Sequence, residues 1–234
     1  MIKRDNVFPD TGMSSRADTN DYDALGRDVL AASSSGGGAG GKGAEVGEVP
    51  SGVQRLLAAI NLPVDTPRGA RWGNLDPVYR HPETGAKAFV GNATAAKSKE
   101  LLLEHSITRV VNCKDPDDPC WHKDDPDFEY LRFPIAYHWR VLGGKANDKQ
   151  AILEYFGKLF DWTDKQLADG KSVLIHCLAG AHRAGTTGVS YVMHAGGLNM
   201  SDAIAICSRQ RPVINPIGSF PDLLSRLNTA LGRR

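Results

Sequence analysis

The spacing of apolar and polar positions divides the chain near residue 66. Beyond that point apolar residues fall into short runs separated by helical stripes. Val173, Leu174 and Ile175, framed by Ser172 and His176, make a run too short and too apolar for anything but a buried strand. Ahead of it, Ile152, Phe156, Leu159 and Phe160 recur on one stripe, which predicts a long helix over 150–169 with one face in the core. The same reasoning gives a helix over 95–105, strands over 108–112 and 128–134, and helices over 186–194, 200–209 and 221–231, the last with Pro221 in its first turn. Pro82-Glu83-Thr84-Gly85 between apolar runs predicts a hairpin ending in Ala88, Phe89 and Val90. Strands alternating with helices imply an α/β fold with a central, mostly parallel sheet flanked by helices.

Before that point the pattern is lost. Residues 1–66 hold only two aromatics, Phe8 and Tyr22, and six of the eleven residues from Ser33 to Gly43 are glycine. Such composition cannot repay the entropy of ordering, so 1–66 is expected to be a flexible Gly/Ser-containing tail and 67–234 the folded domain. Within the tail Val53, Leu56, Leu57 and Ile60 keep helical spacing, predicting a short helix at 51–62 that packs on its own domain or docks a partner of the tail.

Charge and cysteine usage exclude several roles. Lys and Arg number 28 against 27 Asp and Glu, a formal charge of +1, so no nucleic acid partner is expected. No apolar run approaches the roughly 18 residues of a membrane span, and residues 1–10 lack the apolar stretch of a secretory signal. A cytoplasmic home follows, with the nucleus as the alternative. Cys113, Cys120, Cys177 and Cys207 are too few and too scattered for a disulfide framework, so free thiols are expected.

The chemistry sits after the buried strand, in His176-Cys177-Leu178-Ala179-Gly180-Ala181-His182-Arg183-Ala184-Gly185. A loop running from a strand's carboxyl end into a helix N-terminus aims several backbone N–H groups at one point, a nest for a phosphate dianion. Cys177 lies at the start of that field, where a helix dipole and a guanidinium favour the thiolate and hence a nucleophile. Arg183, six positions on, is placed to return across the loop and grip two phosphoryl oxygens with its planar fork. Gly180 and Gly185 let the backbone turn tightly. The candidate phosphate-binding residues are therefore Leu178, Ala179, Gly180, Ala181, His182 and Arg183.

His176 to Arg183 resembles the phosphate-binding loop of the cysteine-dependent protein tyrosine phosphatases, and most closely their dual-specificity branch. Phe89-Val90-Gly91-Asn92, Ile107-Thr108-Arg109-Val110-Val111-Asn112, Phe128-Glu129-Tyr130-Leu131 and Arg211-Pro212-Val213-Ile214-Asn215-Pro216 resemble that branch in its order, so the likeness runs from Gly85 to Leu231. The resemblance implies the protein tyrosine phosphatase-like fold. It also implies a phosphatase in which the thiolate attacks phosphorus, an aspartic acid protonates the leaving oxygen, and water hydrolyses the phosphocysteine without metal or cofactor. A phosphorylated protein is the implied substrate, with a phosphoglucan or a phosphoinositide as alternatives and a phosphate-reading module of weak turnover as a further one.

Two positions depart from the family pattern. Ala184 stands where a serine or threonine hydroxyl usually assists the cysteine as leaving group. Tyr137 stands where Phe133-Pro134-Ile135-Ala136 should lead to the aspartic acid. Further on, Lys145-Ala146-Asn147-Asp148 resembles the acid-bearing segment of some small dual-specificity members, which makes Asp148 the candidate acid; a helix-capping aspartate is the alternative, with Asp115, Asp117 or Asp118 near the end of the neighbouring strand as the next candidates for the acid.

Other residues admit two readings each. His176 is expected to support the loop through neighbouring backbone, and His182 either adds charge near the phosphate or is a solvated loop histidine. Cys113 is a buried thiol or, within about 7 Å of Cys177, a disulfide partner for it. Cys113, Cys120 and His122 lack a second close pair of ligands, so no metal site is expected. The six aspartates between residues 115 and 127 read as a solvated acidic loop or a contact for a basic partner. Trp121, Tyr137 and Trp139 border the cleft or pack in the core.

Overall fold

The computed structural model describes residues 51–62, 72–145 and 147–233. Of the tail expected over 1–66, residues 1–50 and 63–66 lie outside the described residues, as does the junction at 66–67. Ser51–Ala59 forms helix α1, and Leu56 and Leu57 on it, with Ile60 and Leu62 just beyond, are buried in the main core. The apolar stripe at 51–62 thus packs against its own chain.

Five strands form one sheet: β1 (Leu75–Arg80), β2 (Lys87–Gly91), β3 (Ile107–Asn112), β4 (Glu129–Arg132) and β5 (Ser172–His176), in the order β1-β2-β5-β3-β4. The hairpin partner β1 runs antiparallel to β2, and the remaining pairs are parallel, with Gly91 and Asn112 flanking His176 in register. The most apolar strand therefore sits in the middle. Its side chains alternate between two cores, as the pleat requires. Val173 and Ile175 face one with Ala88, Val90 and Val111, while Leu174 faces the other with Phe89 and Val110.

Two short helices, α2 (Ala93–Lys97) and α3 (Lys99–Glu104), cover the second face. A single helix over 95–105 was expected. Ser98 breaks it by taking extended backbone and accepting the Leu101 amide on its side chain, so it caps α3 instead of continuing α2. The first face is covered by α5 (Lys149–Ala168), α6 (Arg183–Ala195), α7 (Met200–Gln210) and α8 (Phe220–Ala230), preceded by the short helix α4 (His138–Leu142). Every residue of α6 from Arg183 to Met193 is buried, and a Cβ at Gly188 would lie 2.4 Å from Val90 Cγ2. The helix that starts at the chemical loop is thus pressed onto the sheet, with glycine permitting the approach.

Candidate active site

The chain leaves β5 at His176, crosses residues 177–182 and enters α6 at Arg183. What shapes this loop is where its carbonyls go. Leu178 O accepts the Ala93 amide at 2.9 Å, and Ala181 O accepts the Asn215 amide at 3.2 Å. Arg211 donates from Nη2 to Ala179 O at 3.0 Å and from Nε to Gly180 O at 2.9 Å. His182 O takes the Thr186 amide and hydroxyl, and Arg183 O takes the Thr187 hydroxyl. All six carbonyls are therefore tied outward, which turns the amides inward. Gly180 N donates to Cys177 Sγ at 3.3 Å, while the amides of Leu178, Ala179, Ala181 and His182 have no acceptor among the described residues. The N-terminus of α6 also carries no side-chain cap, so its positive end faces the same point. Gly180 holds φ +68°, and a Cβ there would lie 2.5 Å from Gly91 O, so only glycine fits.

Arg211 is the clamp behind the loop. It is fully buried, pairs with buried Asp76 at 2.6 Å, and also donates to Gly73 O at 2.8 Å. His182 is buried rather than solvated, and its Nδ1 meets Asn215 O at 2.7 Å, which anchors the loop to the segment after α7.

Cys177 and Arg183, each 3% exposed, occupy the two ends of this nest. Arg183 Nη1 lies 3.6 Å from Asp115 Oδ1, a carboxylate on the loop after β3. The Tyr137 hydroxyl is hydrogen-bonded to the same carboxylate; desolvation first, and then the charge of Asp115 and that bond, push the phenol above its ordinary range. Arg140 lies over the Tyr137 ring at 4.7 Å and over Trp139 at 5.1 Å, so these three side chains form one stack; Trp139 itself is exposed.

Asp148 stands elsewhere. Its Oδ1 accepts the Gln150 amide at 2.8 Å and the Ala151 amide at 3.4 Å, capping α5, and it borders an open pocket with Leu142, Lys145, Glu154 and Lys158 that no residue of the loop lines. The structure brings Cys177, the residues 178–182 and Arg183 together, and adds Asp115 and Tyr137, but it does not bring Asp148 into that contact set.

His176 is wholly buried, and neither ring nitrogen makes a hydrogen bond of ordinary geometry, so its backbone support is limited to the nearby Cys177 backbone. Its ring lies 5.6 Å from that of half-buried Trp121. Burial pushes its pKa down to about 3, against a smaller opposing pull from the Cys177 backbone, so it stays neutral. Cys113 follows β3, its amide donates to His176 O, and its thiol meets Thr187 Oγ1 at 3.4 Å; burial pushes that thiol upward, with nearby Cys177 adding to the effect. All four cysteines are free thiols. Lys99 pairs with Asp125 and Lys114 with Asp118, so part of the acidic run is neutralised locally. No group of three or more His, Cys, Asp or Glu side chains among the described residues is arranged to hold a metal ion. No helix among them is long and apolar enough to cross a membrane.

Sequence reasoning missed Asp76 and the contact of Asp115 with Arg183. Arg211 was visible only as the first letter of a resembling motif. Asp76 carries no local signal at all, being a lone aspartate in a strand that becomes meaningful only when the chain returns 135 residues later.

Comparison with known proteins agrees with this geometry. The family described as dual specificity phosphatase, catalytic domain, matches residues 88–229. The Drosophila melanogaster dual specificity protein phosphatase Mpk3 is 31% identical over 146 residues, covering 62% of this chain and 33% of that protein. Human dual specificity protein phosphatase 9 is 29% identical over 132 residues, covering 56% and 32%. The match thus spans about a third of the length of these curated relatives. Among solved structures, human DUSP28 superposes with a TM-score of 0.51 at 21% identity, covering 70% of this chain and 99% of that one. A mouse putative dual specificity phosphatase complexed with zinc tungstate gives 0.51 at 24% identity, covering 72% and 94%. Both likenesses concern the fold.

Proposed function

The chain belongs to the dual specificity phosphatase family, and from that premise and the geometry of its anion nest we propose that it hydrolyses phosphomonoesters of proteins through a phosphocysteine. The observation that carries this reading is the loop in which every carbonyl from Leu178 to Arg183 is held outward, leaving amides and a buried guanidinium around one thiol. In this reading the amides of Leu178, Ala179, Gly180, Ala181 and His182 and the fork of Arg183 hold the phosphoryl oxygens. They strengthen as charge builds on those oxygens in the transition state. Cys177 Sγ forms the S–P bond as the P–O bond to the leaving group breaks, and water then cleaves the S–P bond. Electrophilic assistance comes from Arg183 and the amides, so the step needs no metal or other cofactor. Asp148 serves here as the cap of α5. Ala184 leaves the sulfur without the hydroxyl that the family pattern puts at that position, which slows breakdown of the phosphocysteine relative to its formation. The cytoplasm is the proposed compartment, and a protein partner for the tail is proposed with it.

The experiment is hydrolysis of dinitrophenyl phosphate with a chelator present, repeated with vanadate, with thiol alkylation and with Cys177→Ser. Activity that survives the chelator and is lost in the other three supports the reading, and full activity of Cys177→Ser contradicts it. A panel of phosphopeptide, phosphoglucan and phosphoinositide then assigns the substrate class, with phosphopeptide expected to be turned over fastest.

A further inference from the structure

Expulsion of an alkoxide from phosphorus needs a proton, and the tyrosine at residue 137 cannot supply one readily near neutral pH, since its phenol is pushed further above the ordinary range of about 10. The geometry points to Asp115 as the proton donor to the leaving oxygen, with Tyr137 as the residue that positions it. This inference rests on the phosphatase reading of the same site.

Three observations converge on Asp115. It is the carboxylate in contact with the buried guanidinium of Arg183, 3.6 Å from Nη1, and so lies at the mouth of the anion nest. Its side chain is 40% exposed, so solvent and a bound leaving group can reach it. Its carboxylate is also held by the Tyr137 hydroxyl, and Tyr137 is itself fixed under Arg140. The tyrosine at the expected acid position therefore points at an acid carried by the loop after β3. Backbone geometry supports that placement, because the Asp115 amide donates to Asp118 Oδ2 at 3.2 Å and Lys114 holds Asp118 Oδ1 at 2.7 Å, bracing the turn.

The charged groups around Asp115 explain how it takes up a proton. Arg183 meets it from the start of α6 and Tyr137, under Arg140, from the segment after β4, while Lys114, Asp117 and Asp118 share its own loop. With the nest empty, Arg183 and the Tyr137 hydroxyl favour the carboxylate. An arriving phosphate dianion takes Arg183 for itself and brings negative charge beside Asp115, and both changes favour the protonated form. In the first step the Cys177 thiolate gives its electron pair to the new S–P bond. The P–O pair goes to the leaving oxygen, and the Asp115 proton joins it, giving a neutral alcohol, a phosphocysteine and a carboxylate. In the second step Asp115 takes a proton from water as its oxygen bonds to phosphorus, and the S–P pair returns to Cys177. Inorganic phosphate and the starting acid result.

The test compares Asp115→Asn, Asp148→Asn and Tyr137→Phe on a phosphoserine peptide and on dinitrophenyl phosphate, whose phenolate leaves without a proton. Asp115→Asn is expected to lose roughly 10²- to 10⁴-fold in kcat on the peptide and less than about tenfold on the aryl ester, which also reports that the variant is folded. Tyr137→Phe removes a hydrogen bond that favours the ionised carboxylate, so the alkaline limb of the peptide pH profile moves to higher pH. An equal effect of Asp115→Asn on both substrates overturns the inference, as does a lowered KM with no dependence on leaving group, which would make Asp115 an occupant that substrate displaces. Selective loss in Asp148→Asn with none in Asp115→Asn also overturns it and returns the role to the α5 cap. If dinitrophenyl phosphate turnover does not depend on Cys177, the phosphatase reading fails; if it does and Asp115→Asn keeps the wild-type ratio, only the assignment of the acid fails.

Discussion

Removing the charge of Asp76 tests whether the nest is held from behind. Asp76→Asn keeps the size and one oxygen of the side chain but leaves the Arg211 cation without its anion, at a place where the two side chains are 1% and 0% exposed. Breaking a buried ion pair by deleting one partner costs about 3–5 kcal/mol. Here three carbonyls, Gly73 O, Ala179 O and Gly180 O, still accept from the guanidinium, so the lower end of that range applies, about 3 kcal/mol. For a domain of this size that corresponds to a fall in Tm of roughly 6–12 °C, measurable by calorimetry or by circular dichroism on heating. The same guanidinium aims the Ala179 and Gly180 carbonyls outward, so kcat/KM for an aryl phosphate should fall by about tenfold at a temperature where the variant is fully folded. Replacing both partners, Asp76→Leu with Arg211→Met, should destabilise by less than the sum of the single changes, because no charge is left buried. A single-variant loss below about 1 kcal/mol, or strict additivity in the double variant, would refute the reasoning.

Three further outcomes follow from the same geometry. Arg183→Lys should lower kcat roughly 10²- to 10³-fold with little change in Tm, because a point charge cannot hold two equatorial oxygens; steady-state kinetics showing less than about a threefold loss contradict the bidentate role. Gly180→Ala should destabilise by at least about 2 kcal/mol, since its Cβ at φ +68° meets the Gly91 carbonyl at 2.5 Å, and a wild-type denaturant midpoint would show that the loop can retreat. His176 has a folded pKa of about 3 against an ordinary value of about 6.5, so between those values the unfolded chain binds more protons and stability falls as pH drops from about 6.5 toward 3. Unfolding free energies near about pH 7 and about pH 4 should therefore differ less in His176→Phe than in wild type, and equal differences contradict the assignment.

Much of this site could be read from the chain because its strongest signals are local. The apolar run 172–176, the loop 177–182 and the buried helix after it lie within about twenty consecutive residues, and the structure keeps them in that order. The break at Ser98 was missed because a serine is compatible with a helix interior until its side chain finds the amide of Leu101. The Asp76–Arg211 pair was invisible because its partners lie 135 residues apart and meet only when the chain folds. The acid shows the same limit. Sequence resemblance put Asp148 forward by its neighbours Lys145 and Asn147, whereas the contact of Asp115 with Arg183, on which its proposed role rests, depends on how far the loop after β3 reaches toward α6, and that belongs to the fold.

Catalysis on this loop runs, in the proposed function, through a covalent intermediate on one sulfur. Mixing the full chain with excess aryl phosphate, quenching within a turnover and mapping the phosphoryl group by peptide mass spectrometry tests it directly. The phosphoryl group is expected on the peptide carrying Cys177, accumulating because Ala184 gives the departing sulfur no hydroxyl, and absent from Cys177→Ser. Phosphate release with an unmodified Cys177 at every quench time, or the phosphoryl group on another residue, would contradict it.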